Sequence, residues 1–209
     1  FWKYLDLQFT ITGETNIPRE GAAILAINHL SYLDFAIAGT AALPAKRLVR
    51  FMAKKEIFDH PLAGPLMRGM KHICVDRNNG GPSFVAALKS LRNGEIVGIF
   101  PEATISQSFE LKEMKSGVIR LAMESGAPVI PVAMFNTHQI QPTGKLIPKI
   151  KRVRMEFGEP MYFTGDSTDM NLLRDATDEI MRKIQSMSGQ EYVDIYASKR
   201  KSEITEDEE

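Results

Sequence analysis

A histidine stands five residues before an aspartate in Asn28-His29-Leu30-Ser31-Tyr32-Leu33-Asp34, directly after the apolar run Ala23 to Ile27. An imidazole, with an unperturbed pKa near ~6.5, can take the proton of a hydroxyl as that hydroxyl attacks a carbonyl. Such a base needs a partner that fixes its tautomer and stabilises the imidazolium. Asp34 can be that partner only if residues 29 to 34 are not one continuous helix. On a helix, five residues turn through about 500° and the side chains diverge. With His29 in a strand-to-helix turn and Asp34 in the first helical turn, they meet. A purely structural reading uses the same letters. Ser31 and Asp34 spell a capping box, and His29 is then an ordinary turn residue. Spacing alone leaves both readings open.

Three further clusters follow apolar runs. Phe100-Pro101-Glu102-Ala103-Thr104-Ile105-Ser106 places a carboxylate, two hydroxyls and free backbone N–H groups at a strand end, where a turn can bind polar ligand groups or simply cap a helix. Lys71-His72-Ile73-Cys74-Val75-Asp76-Arg77 ends on an arginine, which can grip a phosphate through two parallel hydrogen bonds or pair with Asp76 in solvent. Cys74 lies inside the apolar run and reads as a small core residue; His72 alternates with it and has no obvious partner. Val129-Ile130-Pro131-Val132-Ala133 has no reactive side chain and reads as a strand with a break.

These clusters must be positioned by a scaffold, and the pattern of the chain describes it. Short apolar runs alternate with helical periodicity, the mark of an α/β domain with a mostly parallel or mixed central sheet flanked by helices. Strands are expected at 8–12, 23–27, 48–53, 73–75, 96–100, 129–135 and 153–157. Pro131 suggests an edge position or a bulge in its strand. Helices are expected at 32–43, stopped by Pro44, and at 60–68, with Pro61 in first position. Others are expected at 82–92, with Phe84, Val85, Leu88 and Leu91 on one face, and at 115–125, ending at Gly126. The last, 170–187, keeps Leu173, Ile180, Ile184 and Met187 in register. In such sheets the functional loops leave the carboxyl ends of the strands, and the polar clusters sit there.

The chain of 209 residues suits one domain, read as 1–190, followed by a charged tail, 191–209, disordered at its end. A formal net charge of +0 gives no footprint for nucleic acid, but it hides an uneven distribution. Lys145, Lys149, Lys151, Arg152 and Arg154 cluster in one stretch with Leu146, Ile147 and Ile150 among them. That mixture suits anionic headgroups, at about 1 kcal/mol per basic residue near the surface, and equally suits a solvated strand edge. One cysteine permits no intrachain disulfide and points to a reducing compartment. No apolar run is long enough to span a bilayer. The sequence opens on Phe1-Trp2-Lys3-Tyr4-Leu5 without Met, which leaves room for a preceding membrane anchor.

Taken in order, the four clusters resemble the motifs of the 1-acylglycerol-3-phosphate acyltransferases, a family of glycerolipid acyltransferases. Those motifs are N-H-x4-D, a strand ending in Arg, F-P-E-G-T-x-S and V-I-P-V. Phe51-Met52-Ala53-Lys54-Lys55-Glu56, Met114-Lys115-Ser116-Gly117 and Phe157-Gly158-Glu159-Pro160 are similar to the family as well. The resemblance implies the fold of glycerol-3-phosphate acyltransferase-like domains. It implies transfer of a fatty acyl group from acyl-CoA or acyl carrier protein to a lysophosphatidate-like acceptor, giving phosphatidate. No metal or redox cofactor is implied, and the setting is the cytoplasmic face of a membrane. It also implies roles: His29 the base, Asp34 its orienting partner, Arg77 the phosphate ligand, and Glu102 and the Thr104 region the acceptor site. Lys54 and Lys115 add positive charge, and Val129, Ile130, Pro131 and Val132 line an acyl or acceptor pocket. Two departures bear on the acceptor. Ala103 stands where the family has Gly, and Ile105 where it often has Arg. Another lysophospholipid, glycerol-3-phosphate or a glycolipid is the alternative acceptor. Two rival classes remain: a serine hydrolase using Ser31 or Ser106, without a G-x-S-x-G elbow, and a lipid-binding protein, which has no need of a His–Asp pair.

Overall fold

The computed structural model describes residues 8–102, 105, 111–112, 116–137 and 152–193. Its strands are β1 (Gln8–Thr12), β2 (Ala23–Ile27), β3 (Val49–Lys54), β4 (Ile73–Val75), β5 (Ile96–Ile99), β6 (Leu111–Lys112), β7 (Val129–Phe135), β8 (Arg152–Phe157) and β9 (Tyr192–Val193). Its helices are α1 (Asp34–Ala41), α2 (Lys55–Asp59), α3 (Ala63–Gly69), α4 (Gly81–Arg92), α5 (Gly117–Ser125) and α6 (Met170–Ser188).

The main sheet has the order β1-β8-β7-β2-β5-β3-β4. Five strands, β7, β2, β5, β3 and β4, run parallel, while β8 and β1 run the other way. The expected α/β domain with a mixed sheet and flanking helices is therefore the one found. Every residue of β2 is buried because both faces of the sheet are covered. Ile24 and Ala26 pack toward α4, α5 and α6, where Leu88, Leu91, Ile119, Leu121, Ile180 and Ile184 close one core. Ala23, Leu25 and Ile27 pack toward α1, where Ile37, Ala38 and Ala41 close the other. Helix α6 is capped at both ends. The Asp169 side chain accepts the N–H groups of Asn171 and Leu172, and Gly189, at φ +70°, ends the helix in a left-handed turn.

Several expectations need correction. Pro131 is not on an edge: β7 lies between β2 and β8 and is buried through Met134. Its missing N–H faces β8, where the chain bulges. Val132 pairs with Phe157 but Val129 with Met161, so three residues, Gly158 to Pro160, stand opposite two. Cys74 is exposed, not core, because β4 is an edge strand and only one of its faces is covered. Val85 is also exposed, and Ser83 and Ala87 take its place on the buried face of α4. Helix α1 begins two residues late, and Pro44 sits in a separate turn of 3-10 helix, Leu43–Ala45. Helix α3 begins at Ala63, yet Gly64 N–H donates to the His60 carbonyl and His60 Nδ1 accepts the N–H groups of Leu62 and Ala63. Helix α2 was not anticipated. The first residues of the expected tail belong to the fold: β9, at Tyr192–Val193, pairs with β6, and the Tyr192 hydroxyl meets Asp178 at 3.0 Å. No helix among the described residues is long and apolar enough to cross a membrane.

Candidate active site

Strand β2 ends at Ile27 and α1 begins at Asp34, so His29 lies in the connecting turn and the condition for the pair is met. His29 Nδ1 is 3.0 Å from Asp34 Oδ2. The same oxygen accepts the backbone N–H of Leu30 at 2.7 Å and of Ser31 at 2.8 Å. An oxygen collecting two N–H donors is an acceptor, so Nδ1 carries the ring proton and Nε2 is left with its lone pair. Asp34 is fully buried and the His29 side chain is 17% exposed, so the carboxylate is shielded and the imidazole opens outward. Asp34 also occupies the first turn of α1, where the helix dipole favours a negative charge. The capping-box reading holds in part. Asp34 reaches back to Ser31 N–H, while Ser31 Oγ accepts from Leu33 N–H. The buried Ser31 is thus engaged in shaping the turn, and Ser106 lies outside the described residues.

Two neighbours fix the turn to the sheet. Glu102, buried after β5, accepts the His29 backbone N–H through Oε1 at 3.1 Å. Asn28 turns its amide onto β7: Oδ1 accepts Met134 N–H at 2.7 Å and Nδ2 donates to the Met134 carbonyl at 3.2 Å. A side chain thereby continues the β2–β7 ladder by one more peptide-like rung. Nδ2 also donates to Gln190 Oε1, which the Gly189 turn delivers from the end of α6. Gln190 is a site residue that the sequence reading missed, and nothing local to it could have signalled a partner 162 positions away.

The His29 ring is stacked on Phe100, with centroids 4.2 Å apart and planes at 25°. Phe100 is backed by Phe51 at 6.0 Å and 17°. Phe51 fits only because Gly98 has no side chain; a Cβ there would sit 2.5 Å from the ring. Behind Phe51, His72 is buried and its Nδ1 accepts Phe51 N–H at 3.1 Å. His72 therefore has the partner that the sequence did not reveal. Burial and then the Arg50 charge push its pKa down, so the ring is held neutral with its proton on Nε2.

The remaining predicted residues are dispersed. Lys54 is exposed at the carboxyl end of β3. Arg77 follows β4 and lines a cleft of about 420 Å³ with Lys55, Glu56, Asp59, Asp76 and Asn78. Asp76 pairs with Lys55 at 3.7 Å. From β2 to β4 is three strand spacings, or about 14 Å, so His29 and Arg77 share one sheet edge without touching. Val129, Ile130, Pro131 and Val132 are buried in β7, with Val129 packed in one core and Ile130 and Val132 in the other. Thr104, Lys115, Lys145, Lys149 and Lys151 lie outside the described residues, as does the tail beyond Val193. Arg152 and Arg154 lie on β8, where Arg152 Nε donates to Gln8 and Arg154 stacks over Phe135.

Comparison with known proteins is consistent with this geometry. The family model termed Acyltransferase matches residues 8–135. A 1-acyl-sn-glycerol-3-phosphate acyltransferase of Bacillus subtilis (strain 168) is 31% identical over 153 residues, covering 73% of each chain. One from Borreliella burgdorferi is 29% identical over 136 residues, which cover 63% of this chain and 53% of that protein. The crystal structure of the 1-acyl-sn-glycerophosphate acyltransferase PlsC from Thermotoga maritima superposes with a TM-score of 0.69 at 24% identity, covering 89% of this chain and 74% of that one. At that identity the likeness is one of fold.

Proposed function

Because the chain belongs to the Acyltransferase family, we propose that it moves a fatty acyl group from a thioester to the free hydroxyl of 1-acylglycerol-3-phosphate, giving phosphatidate. The donor is acyl-CoA or acyl carrier protein, and the enzyme works at the cytoplasmic face of a membrane. The observation that carries the reading is the His29–Asp34 pair, 3.0 Å apart on the carboxyl edge of the sheet. Nε2 of His29 takes the acceptor's hydroxyl proton as its oxygen attacks the thioester carbonyl. The new C–O bond forms, the C–S bond breaks, and the imidazolium returns its proton to the leaving thiolate. Asp34 stabilises the imidazolium between these steps. Glu102 holds the turn through the His29 N–H and is a positioning residue in this scheme. Arg77, three strands away, receives the acceptor's phosphate, with Lys54 and Lys115 adding to the field and Thr104 shaping the acceptor site. The reaction as written draws on no metal or redox group.

Ile105, where an arginine would supply another phosphate ligand, favours a second reading in which a different lysophospholipid or glycerol-3-phosphate is the acceptor. Thiol release from palmitoyl-CoA, followed against a panel of such acceptors, separates these. His29→Ala is expected to keep the fold and to lower transfer by about 10²- to 10⁴-fold. Undiminished turnover in that purified variant refutes the assignment.

A further inference from the structure

Helix α3 and the two residues that cap it, Leu62 and Met70, turn an apolar stripe to solvent. Leu62, Leu66 and Met70 recur at every fourth position and are 82%, 57% and 44% exposed. Pro65 and Gly69, between them, are exposed as well. The opposite side buries Gly64 and Met67, so one face seats the helix and the other is presented outward. The seat is tight. A Cβ on Gly64 would fall 2.1 Å from the Phe58 carbonyl oxygen, and Arg68 Nη1 donates to that same oxygen at 2.7 Å. The stripe is thus held in place by α2 rather than being a frayed end. A contiguous apolar patch displayed on a firm mount marks an interaction surface.

Charge identifies what covers it. The segment from Pro61 to Lys71 carries no carboxylate and two exposed cations, Lys71 and Arg68, the latter with Nη1 engaged by the Phe58 carbonyl. Apolar side chains that enter the acyl boundary, with cations among the headgroups, match the surface of an anionic bilayer. The fold also aims the stripe. Helix α2 starts at the carboxyl end of β3, and α3 returns the chain toward the start of β4. Its Leu62 end therefore lies toward the sheet edge that carries His29. Its Met70 end is tied to Arg50, near the other end of β3, by a 2.8 Å bond from Nη1 to the Met70 carbonyl.

We propose that α3 is a bilayer-docking surface, its Leu62, Leu66 and Met70 stripe seating on anionic phospholipid so that a lipid acceptor passes from the membrane to the edge at His29. The proposal rests on the lipid-acceptor reading for its purpose, but its test does not depend on turnover. The full chain is sedimented with vesicles of equimolar phosphatidylglycerol and phosphatidylcholine, and transfer is measured separately on a short-chain lysophosphatidate that stays monomeric. Leu62→Ser combined with Leu66→Ser is expected to weaken vesicle binding by about tenfold or more while keeping the melting temperature and the rate on the monomeric acceptor. Val85→Ser, at an exposed apolar position on α4, is the control and keeps wild-type binding. The inference is overturned if the wild type fails to bind these vesicles or if the double variant binds them as the wild type does. It is also overturned if the double variant is smaller in solution than the wild type, since the stripe then joins two copies of this chain. Absence of transfer to the monomeric acceptor, with vesicle binding dependent on the stripe, refutes the proposed function and leaves the docking surface standing.

Discussion

Asp34→Asn separates the two tasks that one buried oxygen performs. Asp34 Oδ2 accepts the His29 ring N–H and the N–H groups of Leu30 and Ser31. An asparagine oxygen in the same place still accepts all three, so the turn persists. What disappears is the charge. Opposite charges about 4 Å apart, at an effective dielectric constant of about 20, attract by about 4 kcal/mol, and losing that from the imidazolium slows the reaction by about 10³-fold. The two backbone bonds fall from charge-assisted to neutral strength, costing about 1–3 kcal/mol of stability together. The assay is thiol release from acyl-CoA, with kcat and KM resolved, beside urea unfolding. The same substitution made in a His29→Ala background is expected to cost the same stability and no further rate, since the imidazolium it would stabilise is gone. A variant with wild-type kcat, or an equal rate loss in the absence of His29, refutes the coupling.

Three other outcomes follow from the surroundings of that pair. Gly98→Ala forces its Cβ against Phe51 and, through Phe100, against the His29 ring. It is expected to lower stability by about 1–3 kcal/mol in chemical unfolding and to reduce kcat more than it raises KM; a fully active, fully stable variant contradicts the stack. The folded-state pKa of His72 is depressed, so below its unfolded value near ~6.5 the unfolded chain binds the extra proton and stability falls as pH falls. His72→Gln, compared with the wild type in thermal melts from neutral to acidic pH, should flatten that part of the profile, and an unchanged slope excludes His72 as its source. Cys74 is exposed, and partial burial, followed by the Asp59 carboxylate, pushes its thiol up. A thiol-reactive dye should therefore label the native protein slowly at neutral pH and faster as pH rises; no labelling before unfolding would place the side chain in the interior.

What could be read along the chain was what is local. His29 and Asp34 are five positions apart, and the only question was where the helix begins. The strand order was hidden, because β2 takes β5 and β7 as neighbours from distant sequence. That concealment explains the error at Cys74. Ile73, Cys74 and Val75 have the composition of a strand covered on both faces, but β4 lies at the edge, and edge position is a tertiary property. Of the two readings that Pro131 allowed, edge or bulge, the bulge is the one found. Its missing donor was met by a bulge in the partner strand, which β7's own residues do not encode. The fit of Phe51 against Gly98 and the grip of Gln190 on Asn28 depend on three-dimensional proximity and left no periodic trace.

The hold of Gln190 on Asn28 also orders events during synthesis. The histidine and its carboxylate leave the ribosome almost together and can find one another within a few residues of chain. Their mooring to β7 and to the residue beyond the last long helix arrives only when nearly the whole described domain has been made. A nascent polypeptide thus carries His29 and Asp34 long before it carries the frame that moors their turn.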